Sequence, residues 1–373
     1  MAEPRRIGLI VNPIAGIGGP LAARGSDRFI SVEEACRHGG VPIAQQRAER
    51  ALVRLRQHAG DVQILTASGA MGSNAAARAG LKPLIVVETP KHTTANDTAT
   101  AASALVQHGV DLLLVAGGDG TARDVFAVIG DRLPMIAIPT GVKMHSAVFA
   151  LSPEAAGDTA AAALSRDCGR RLAEIMDADE NELAAGRPAA RLFGYAQTPD
   201  LPRLLQPAKG ARPDGGEAAI DALGRVLVRD TPPGRLVILG PGTTMQAVKR
   251  AFGVEGTLLG VDAVLGGEVV ARDTDAATLE KLCATHSDAS LLVGVIGNQG
   301  FVFGRGNKQL SPAVIRAAGQ NIQIIATREK LTALPSAELH VDTGDRDLDR
   351  ALAGYRRVVT GPGDAMMMRL SAA

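Results

Sequence analysis

Leu112-Leu113-Leu114-Val115-Ala116-Gly117-Gly118-Asp119-Gly120-Thr121 decides how the chain is read. Its five apolar residues do not alternate with polar ones, which is the pattern of a strand covered on both faces. The run passes directly into glycines and then into a helix opening near Thr121. Glycines let backbone amides approach phosphate oxygens with no Cβ between them, and a helix N-terminus favours anions. An aspartate at this point repels phosphate unless it has a task. The two natural tasks are holding a metal ion and accepting a hydroxyl proton during phosphoryl transfer. The competing reading is an Asp-Gly turn that only caps the helix.

Working outward, strand and helix signals alternate. Ile7–Val11 is a short apolar run ending in Asn12-Pro13 and a glycine-rich loop. Ala48, Ala51, Leu52 and Leu55 follow helical spacing and predict an amphipathic helix over 42–58. Strands follow at Val62–Leu65, Leu84–Val87 and Met135–Ile138, with a small-residue helix ending near Gly80. Thr94-x-x-Asp97 has the spacing of a capping box, with Asp replacing Glu. The alternation predicts an α/β fold: a doubly wound parallel sheet over residues 1–150 that places ligands at the carboxyl ends of its strands. A second, mixed α/β domain is expected over 151–345. Its predicted strands lie at Arg171–Asp177, Leu236–Leu239, Thr257–Val261, Leu291–Ile296, Ile322–Ala326 and Leu339–Val341, and its predicted helices at 152–166 and Thr243–Phe252. Residues 198–216 read as an exposed loop, and 346–373 as a C-terminal segment packing back on the first domain.

The 373 residues, 46% hydrophobic and 21% charged, have the balance of a globular chain. Aromatics make up 2% with no tryptophan, so stacking platforms for single-stranded nucleic acid are lacking. A net charge of +1 without a dense Lys/Arg block argues against a general nucleic-acid surface. Three scattered cysteines read as reduced, buried thiols of a cytoplasmic protein. Arg5 and Arg6 precede an apolar run that Asn12-Pro13 interrupts, so it reads as a first strand rather than a signal peptide. No run approaches the roughly 18 apolar residues of a membrane span. No HExxH, Walker or GxSxG element is present, and the histidines lack metal-ligand spacing.

Other loops offer further candidates. In Pro139-Thr140-Gly141-Val142-Lys143-Met144-His145-Ser146, a lysine in a helix's first turn opposes the macrodipole unless an anion is bound, so Lys143 and His145 are candidate phosphate contacts. The alternatives are a solvated lysine and a structural histidine. Gly240-Pro241-Gly242-Thr243-Thr244 repeats the strand–glycine–helix pattern, and the competing reading is a tight turn. Arg305 and Asn307 lie in a glycine loop after Phe301-Val302-Phe303, where Arg305 could clamp a phosphate. The competing reading there is an ordinary hairpin with a solvated arginine. Asp262 and Asp97 are weaker candidates, and capping suffices for Asp97.

GGDGT at 117–121, with Asn12-Pro13 and Gly16, Gly18 and Gly19, resembles the superfamily of NAD kinases and diacylglycerol- and sphingosine-type lipid kinases. GGDGTARD at 117–124, GVKMHSAVF at 141–149, GPGTT at 240–244 and GRGNKQ at 304–309 make the chain similar to the predicted ATP-NAD kinase group that includes the acetoin-catabolism protein X. The resemblance implies phosphoryl transfer from ATP or polyphosphate to a nucleotide hydroxyl, the 2′-OH of NAD. Asp119 is then the catalytic residue at that hydroxyl, and Asn12, Gly16, Gly117, Gly118, Gly120 and Thr121 lie at the nucleotide and its phosphates. Mg²⁺ would bridge the donor's phosphates. The partners implied are small molecules, NAD and ATP, with no nucleic acid and no membrane; a homodimer is left open. Residues 139–146 depart from the Gly-Asn-Asp-type segment of these relatives, and 230–345 read as alternating strand and helix where NAD kinases are β-rich. A kinase for another small alcohol or a lipid, and a non-catalytic nucleotide-binding regulator, stay open as alternatives.

Overall fold

The computed structural model describes residues 4–17, 19, 36–37, 40–141, 144–164, 168–178, 190–201, 204–205, 217–255, 258–296, 299–334 and 336–373. Gly19 apart, the described residues up to 205 form one compact unit and those from 217 onward a second. The first is built on five parallel strands: β1 (Arg5–Val11), β2 (Val62–Ala67), β3 (Leu84–Val87), β4 (Leu112–Gly117) and β5 (Met135–Pro139). Their order is β3-β2-β1-β4-β5. The chain winds from the centre to one edge, then returns to wind toward the other. The reversal falls between β1 and β4, whose connections leave in opposite directions and open a crevice at their carboxyl ends.

All six residues of β4 are buried, as its unbroken apolar run requires. Along β4 and β5, Leu113, Val115, Met135 and Ala137 join one apolar cluster. Leu114, Ala116, Ile136 and Ile138, which alternate with them, are fully buried as well. The covering helices are α1 (Ala44–His58), α2 (Ser73–Arg78), α3 (Ala95–Gln107), α4 (Asp119–Ile129) and α5 (Pro153–Leu164). The buried stripe of α1 runs Ala44, Arg47, Ala48, Ala51, Leu52 and Leu55. At the head of α3, Asp97 Oδ2 accepts the Thr94 N–H and hydroxyl at 2.8 Å each.

The expected boundary at 150 shifts downstream. Helix α5 packs on α1, flanked by Arg50–Glu154 and Arg54–Asp158 ion pairs at 2.9 and 2.7 Å. An antiparallel ribbon follows, β6 (Arg170–Ala178) with β7 (Ala190–Pro199), and packs over α4. Gly194 permits this approach, because a Cβ there would lie 2.5 Å from Phe126 Cε1. Most of 198–216 lies outside the described residues.

The second unit contains α6 (Glu217–Asp230), β8 (Leu236–Leu239), α7 (Thr243–Ala251), β9 (Asp262–Leu265), β10 (Glu268–Ala271), α8 (Ala276–Thr285), β11 (Ala289–Gly294), β12 (Phe301–Phe303), α9 (Pro312–Ala318), β13 (Ile322–Ile325), α10 (Arg328–Thr332), β14 (Glu338–Val341), α11 (Arg346–Leu352), β15 (Gly354–Gly361) and β16 (Asp364–Ala372). Its nine strands form one mixed sheet, β10-β9-β8-β11-β13-β15-β16-β14-β12. Leu236 and Ile238 feed one apolar cluster and Val237 and Leu239 another, so both faces are covered. Three expectations are corrected. The strand placed at Thr257–Val261 is Asp262–Leu265, antiparallel to β8, and Thr257 lies outside the described residues. Phe301–Phe303 is no hairpin arm but pairs parallel with β14. The C-terminal residues pair within this sheet as β15 and β16, because their alternating apolar residues complete its core.

Gly157 tests the α1–α5 crossing. A Cβ on Gly157 would sit 2.3 Å from the Ala51 carbonyl oxygen. Alanine normally favours a helix interior over glycine by about 1 kcal/mol. Gly157→Ala is nevertheless expected to destabilise the first unit by about 1–3 kcal/mol through the forced backbone shift, read as a lowered urea midpoint; a raised midpoint would refute this packing.

Candidate active site

The crevice between β1 and β4 is closed by three interlocked loops. After β1, the Asn12 N–H donates to Ala116 O at 2.9 Å, and its side-chain Nδ2 donates to Thr121 Oγ1 at 2.9 Å. Asn12 Oδ1 accepts the Ile14 N–H, so the asparagine ties its own loop to the first turn of α4. Thr121 in turn explains Gly117, where a Cβ would lie 2.4 Å from Thr121 Cβ. Gly16 has φ +77°, and a Cβ there would fall 1.9 Å from Thr140 O. The Thr140 N–H donates to Gly117 O at 3.2 Å, bringing in the loop after β5.

Gly118 and Gly120 differ from these. The nearest atom to a Cβ on Gly118 is Gly141 Cα at 3.6 Å, and on Gly120 it is Asp177 Oδ2 at 4.0 Å. Protein packing therefore demands a glycine at neither position. Gly118 is the N-cap of α4, and Ala122 N–H to Gly118 O at 3.0 Å closes the first helical bond. The N–H groups of 118–121 have no carbonyl one turn earlier, so helix geometry alone leaves this end rich in donors.

Asp119, in the first turn of α4, is only 6% exposed. Its Oδ2 accepts the His145 N–H at 2.6 Å and lies 3.0 Å from His145 Nδ1. Its Oδ1 accepts the Ser146 N–H at 3.0 Å and the Ser146 hydroxyl at 2.6 Å. A carboxylate has about four lone-pair sites, and three N–H donors meet it here together with the Ser146 hydroxyl, whose single proton also lies within reach of Met176 O at 2.9 Å. Since a carboxylate donates nothing when ionised, His145 carries its proton on Nδ1. Ser146 Oγ also accepts the Met176 N–H at 3.0 Å, which fastens the arrangement to β6. Beside it, Arg123 pairs with Asp177 at 2.6 Å and lies 5.6 Å from the Phe193 ring centroid.

Asn12, Gly16, Gly117, Gly118, Asp119, Gly120, Thr121 and His145 thus come together in the first unit. Lys143 lies outside the described residues. Ser146, Met176 and Asp177 belong to the site and escaped the sequence reading. Ser146 closed a quoted motif with no charge to mark it, while β6 gave no local sign of its partners.

The remaining candidates form a separate group in the second unit. Gly240 donates its N–H to Leu292 O and Gly242 donates to Leu258 O, each at 2.8 Å, so these two amides serve the fold. Gly242 is the N-cap of α7 with φ +112°, followed by Thr243 and by Thr244, whose Oγ1 receives Lys330 Nζ at 3.2 Å. Asn307 spends its amide within its own loop, on Val302 O and Gly304 N–H. Arg305 is buried rather than solvated and stacks 4.3 Å from the Phe301 ring centroid. Asp262 is the buried partner of Lys249 at 2.6 Å, a role the fold fully explains.

A 220 Å³ cavity lined by Arg5, Asp111, Leu112, Cys168 and Arg170 among others lies at the amino ends of β1 and β4, away from Asp119. Among the described residues no group of three or more His, Cys, Asp or Glu could hold a metal ion. None of their helices is long and apolar enough to cross a membrane. The three cysteines are free, but the expectation that they are buried is corrected: Cys36 is exposed, and Cys168 and Cys283 are half-buried.

Comparison with known proteins gives two matches. The ATP-NAD kinase N-terminal domain matches residues 7–168 and the ATP-NAD kinase C-terminal domain matches residues 234–370. No curated protein and no solved structure matches the chain.

His340, 8% exposed and packed 5.4 Å from the Phe301 ring, carries a pH signature. Burial first, and the Arg305 charge with it, lower its pKa from the ordinary 6.5 despite an opposing pull from Glu338. The unfolded chain therefore binds this proton at a higher pH than the folded one. Stability is expected to fall as pH drops below 6.5 and to level off once the folded pKa is passed. Urea melts across that range should show the loss in the wild type and a shallower one in His340→Gln; equal slopes would contradict it.

Proposed function

The chain belongs to the ATP-NAD kinase family, and on that premise we propose that it transfers the γ-phosphoryl group of ATP to a nucleotide hydroxyl, the 2′-OH of NAD. The observation that carries this reading is the head of α4. Asp119 stands among donor-rich backbone at the switch point of a parallel sheet, with two glycines, Gly118 and Gly120, that packing does not require. Glycines left open at the amide-rich start of a helix suit a ligand whose phosphate oxygens approach the main chain. Asn12, Gly16, Gly117 and Thr121 hold the loops that frame the approach.

The acceptor hydroxyl must lose its proton as its oxygen bonds to phosphorus, and Asp119 with His145 on its Oδ2 supplies the basic group at this point. Preorganised amides and positioning carry most of the remaining catalysis, as expected where the protein does little covalent chemistry. The described residues do not fit a resident metal. Mg²⁺ belongs to this reading as the counter-ion that the donor's phosphates bring with them. Gly240, Gly242, Thr243, Thr244 and Arg305 are proposed, from their loop chemistry, as an anion-contact set within the second unit, to which the glycines bring close approach rather than their amides. Asn307 supports that loop from within.

Purified protein with Mg-ATP and NAD is expected to form NADP, and Asp119→Asn to reduce kcat on the order of 10³-fold. Turnover of NADH or of a polyol in place of NAD would redirect the acceptor assignment. ATP binding without any product, unchanged by the substitution, would leave a regulatory nucleotide-binding protein.

A further inference from the structure

We infer that the ring of Phe193 is the platform on which an adenine base stacks while the phosphates of the same nucleotide lie at the head of α4, with Arg191 closing over the base. The inference rests on the phosphoryl-transfer reading above and deepens it by giving that site a base-binding element.

The chain is poor in aromatic side chains, 2% in all, and the fold hides most of its phenylalanines. Phe149, Phe252, Phe301 and Phe303 are buried, and Phe126 is half-buried beneath the ribbon. Phe193 is 41% exposed, the one exposed phenylalanine among the described residues. Its exposure comes from an irregularity in the β6–β7 ladder. Ile175 pairs with Gly194 and Met176 with Leu192, so Phe193 is the extra residue of a β-bulge. Bulges re-aim side chains and recur beside active sites. Gly194 fixes where this one lies, because its missing Cβ lets the ribbon settle on Phe126, about two turns along α4 from Asp119.

Three contacts lead from the ring to the open end of the helix. Arg123 Cζ lies 5.6 Å from the ring centroid, and Arg123 pairs with Asp177 at 2.6 Å. Asp177 Oδ2 in turn lies 4.0 Å from where a Cβ on Gly120 would stand. The ring is therefore within a nucleotide's length of the donor-rich start of α4, where phosphates are favoured.

The two arginines at the ring play different parts. Arg123 also bonds Asp124 Oδ1 through Nε and Nη2 at 3.3 and 3.0 Å, so two carboxylates hold it in place. Arg191 Cζ is 5.4 Å from the same centroid, is exposed, and makes no ion pair among the described residues. With no carboxylate to hold it, Arg191 is the ring contact that a ligand can displace. A guanidinium plane stacks on a base as an aromatic ring does. A base entering between Phe193 and Arg191 is thus covered on both faces. Stacking reads the face of a base rather than its edge, and both proposed substrates, ATP and NAD, bring an adenine.

The test titrates the full-length protein by calorimetry with Mg-ATP, with NAD, and with tripolyphosphate as a probe that has no base. Phe193→Ala is expected to weaken binding of an adenine nucleotide about tenfold, and Phe193→Tyr to leave it within about twofold of wild type. Arg191→Ala should weaken it about threefold. Phe193→Leu keeps bulk without the ring, should behave like the alanine variant, and serves if that variant does not fold. Loss confined to ATP assigns the base to the donor, and loss confined to NAD assigns it to the acceptor; loss of both means that the platform serves each. Tripolyphosphate should bind Phe193→Ala as it binds wild type, a split that general damage to the ribbon would not give. The inference is overturned if Phe193→Ala binds ATP and NAD within about twofold of wild type, or if it loses tripolyphosphate equally. Wild-type protein that forms no NADP, while the Phe193 variants still lose nucleotide, removes the kinase reading alone. NADP formation with indifferent Phe193 variants removes this inference alone, and wild type that binds neither nucleotide removes both.

Discussion

The carboxylate of Asp119 is the point on which the first unit's architecture turns. Burying an unpartnered carboxylate costs on the order of several kcal/mol, and here the charge is held by three N–H groups and a hydroxyl from two consecutive residues. Those donors come from the segment leaving β5, while the carboxylate leads the helix leaving β4. Each side therefore fixes the other. The His145–Ser146 backbone is drawn against α4, and α4 begins with an anion that its own dipole favours. Ser146 extends the tie to Met176 of β6, so the ribbon over α4 is fastened by the same charge.

Around that centre the glycines divide into two kinds. Gly16 and Gly117 are needed because backbone or Thr121 occupies the space of a side chain. Gly118 and Gly120 have room for one. A single motif thus combines glycines that close protein packing requires with glycines that it does not. The parallel sheet supplies the place, since only where the winding direction reverses do two loops separate enough to leave a crevice.

The second unit solves a different problem. Its sheet is covered on both faces, and the charged pair Lys249–Asp262 lies wholly inside it. Burial lowers the pKa of Lys249 while Asp262 opposes the shift, and Lys249 Nζ also donates to Gly260 O at 2.7 Å. Removing either partner would leave an uncompensated buried charge, which is strongly destabilising. Its neighbours Gly240 and Gly242 likewise direct amides inward, so a glycine loop that resembles a phosphate cradle in sequence can also be a fold-locking turn.

Sequence alone determined the local features. The unbroken apolar run of β4, the stripe of α1, the Thr94–Asp97 cap and the strand–glycine–helix junction at 117–121 are properties of consecutive or helically spaced residues, and each appears where periodicity placed it. Asp119 and its flanking glycines stood out for the same reason, whereas Asn12 and Gly16 were marked only by the resemblance of their loop to that of the kinase superfamily. The domain boundary and the role of the closing strands were not, because a ribbon or a hairpin joins whichever sheet has an open partner, and its own residues do not say which. Nor was the setting of His145 legible, since neither its neighbours in sequence nor its spacing names Asp119 as its partner. Whether an imidazole meets an anion, a solvent molecule or a carboxylate depends on what the fold sets beside it, and only the tertiary structure decided that Asp119 stands there, 3.0 Å from Nδ1 of the ring.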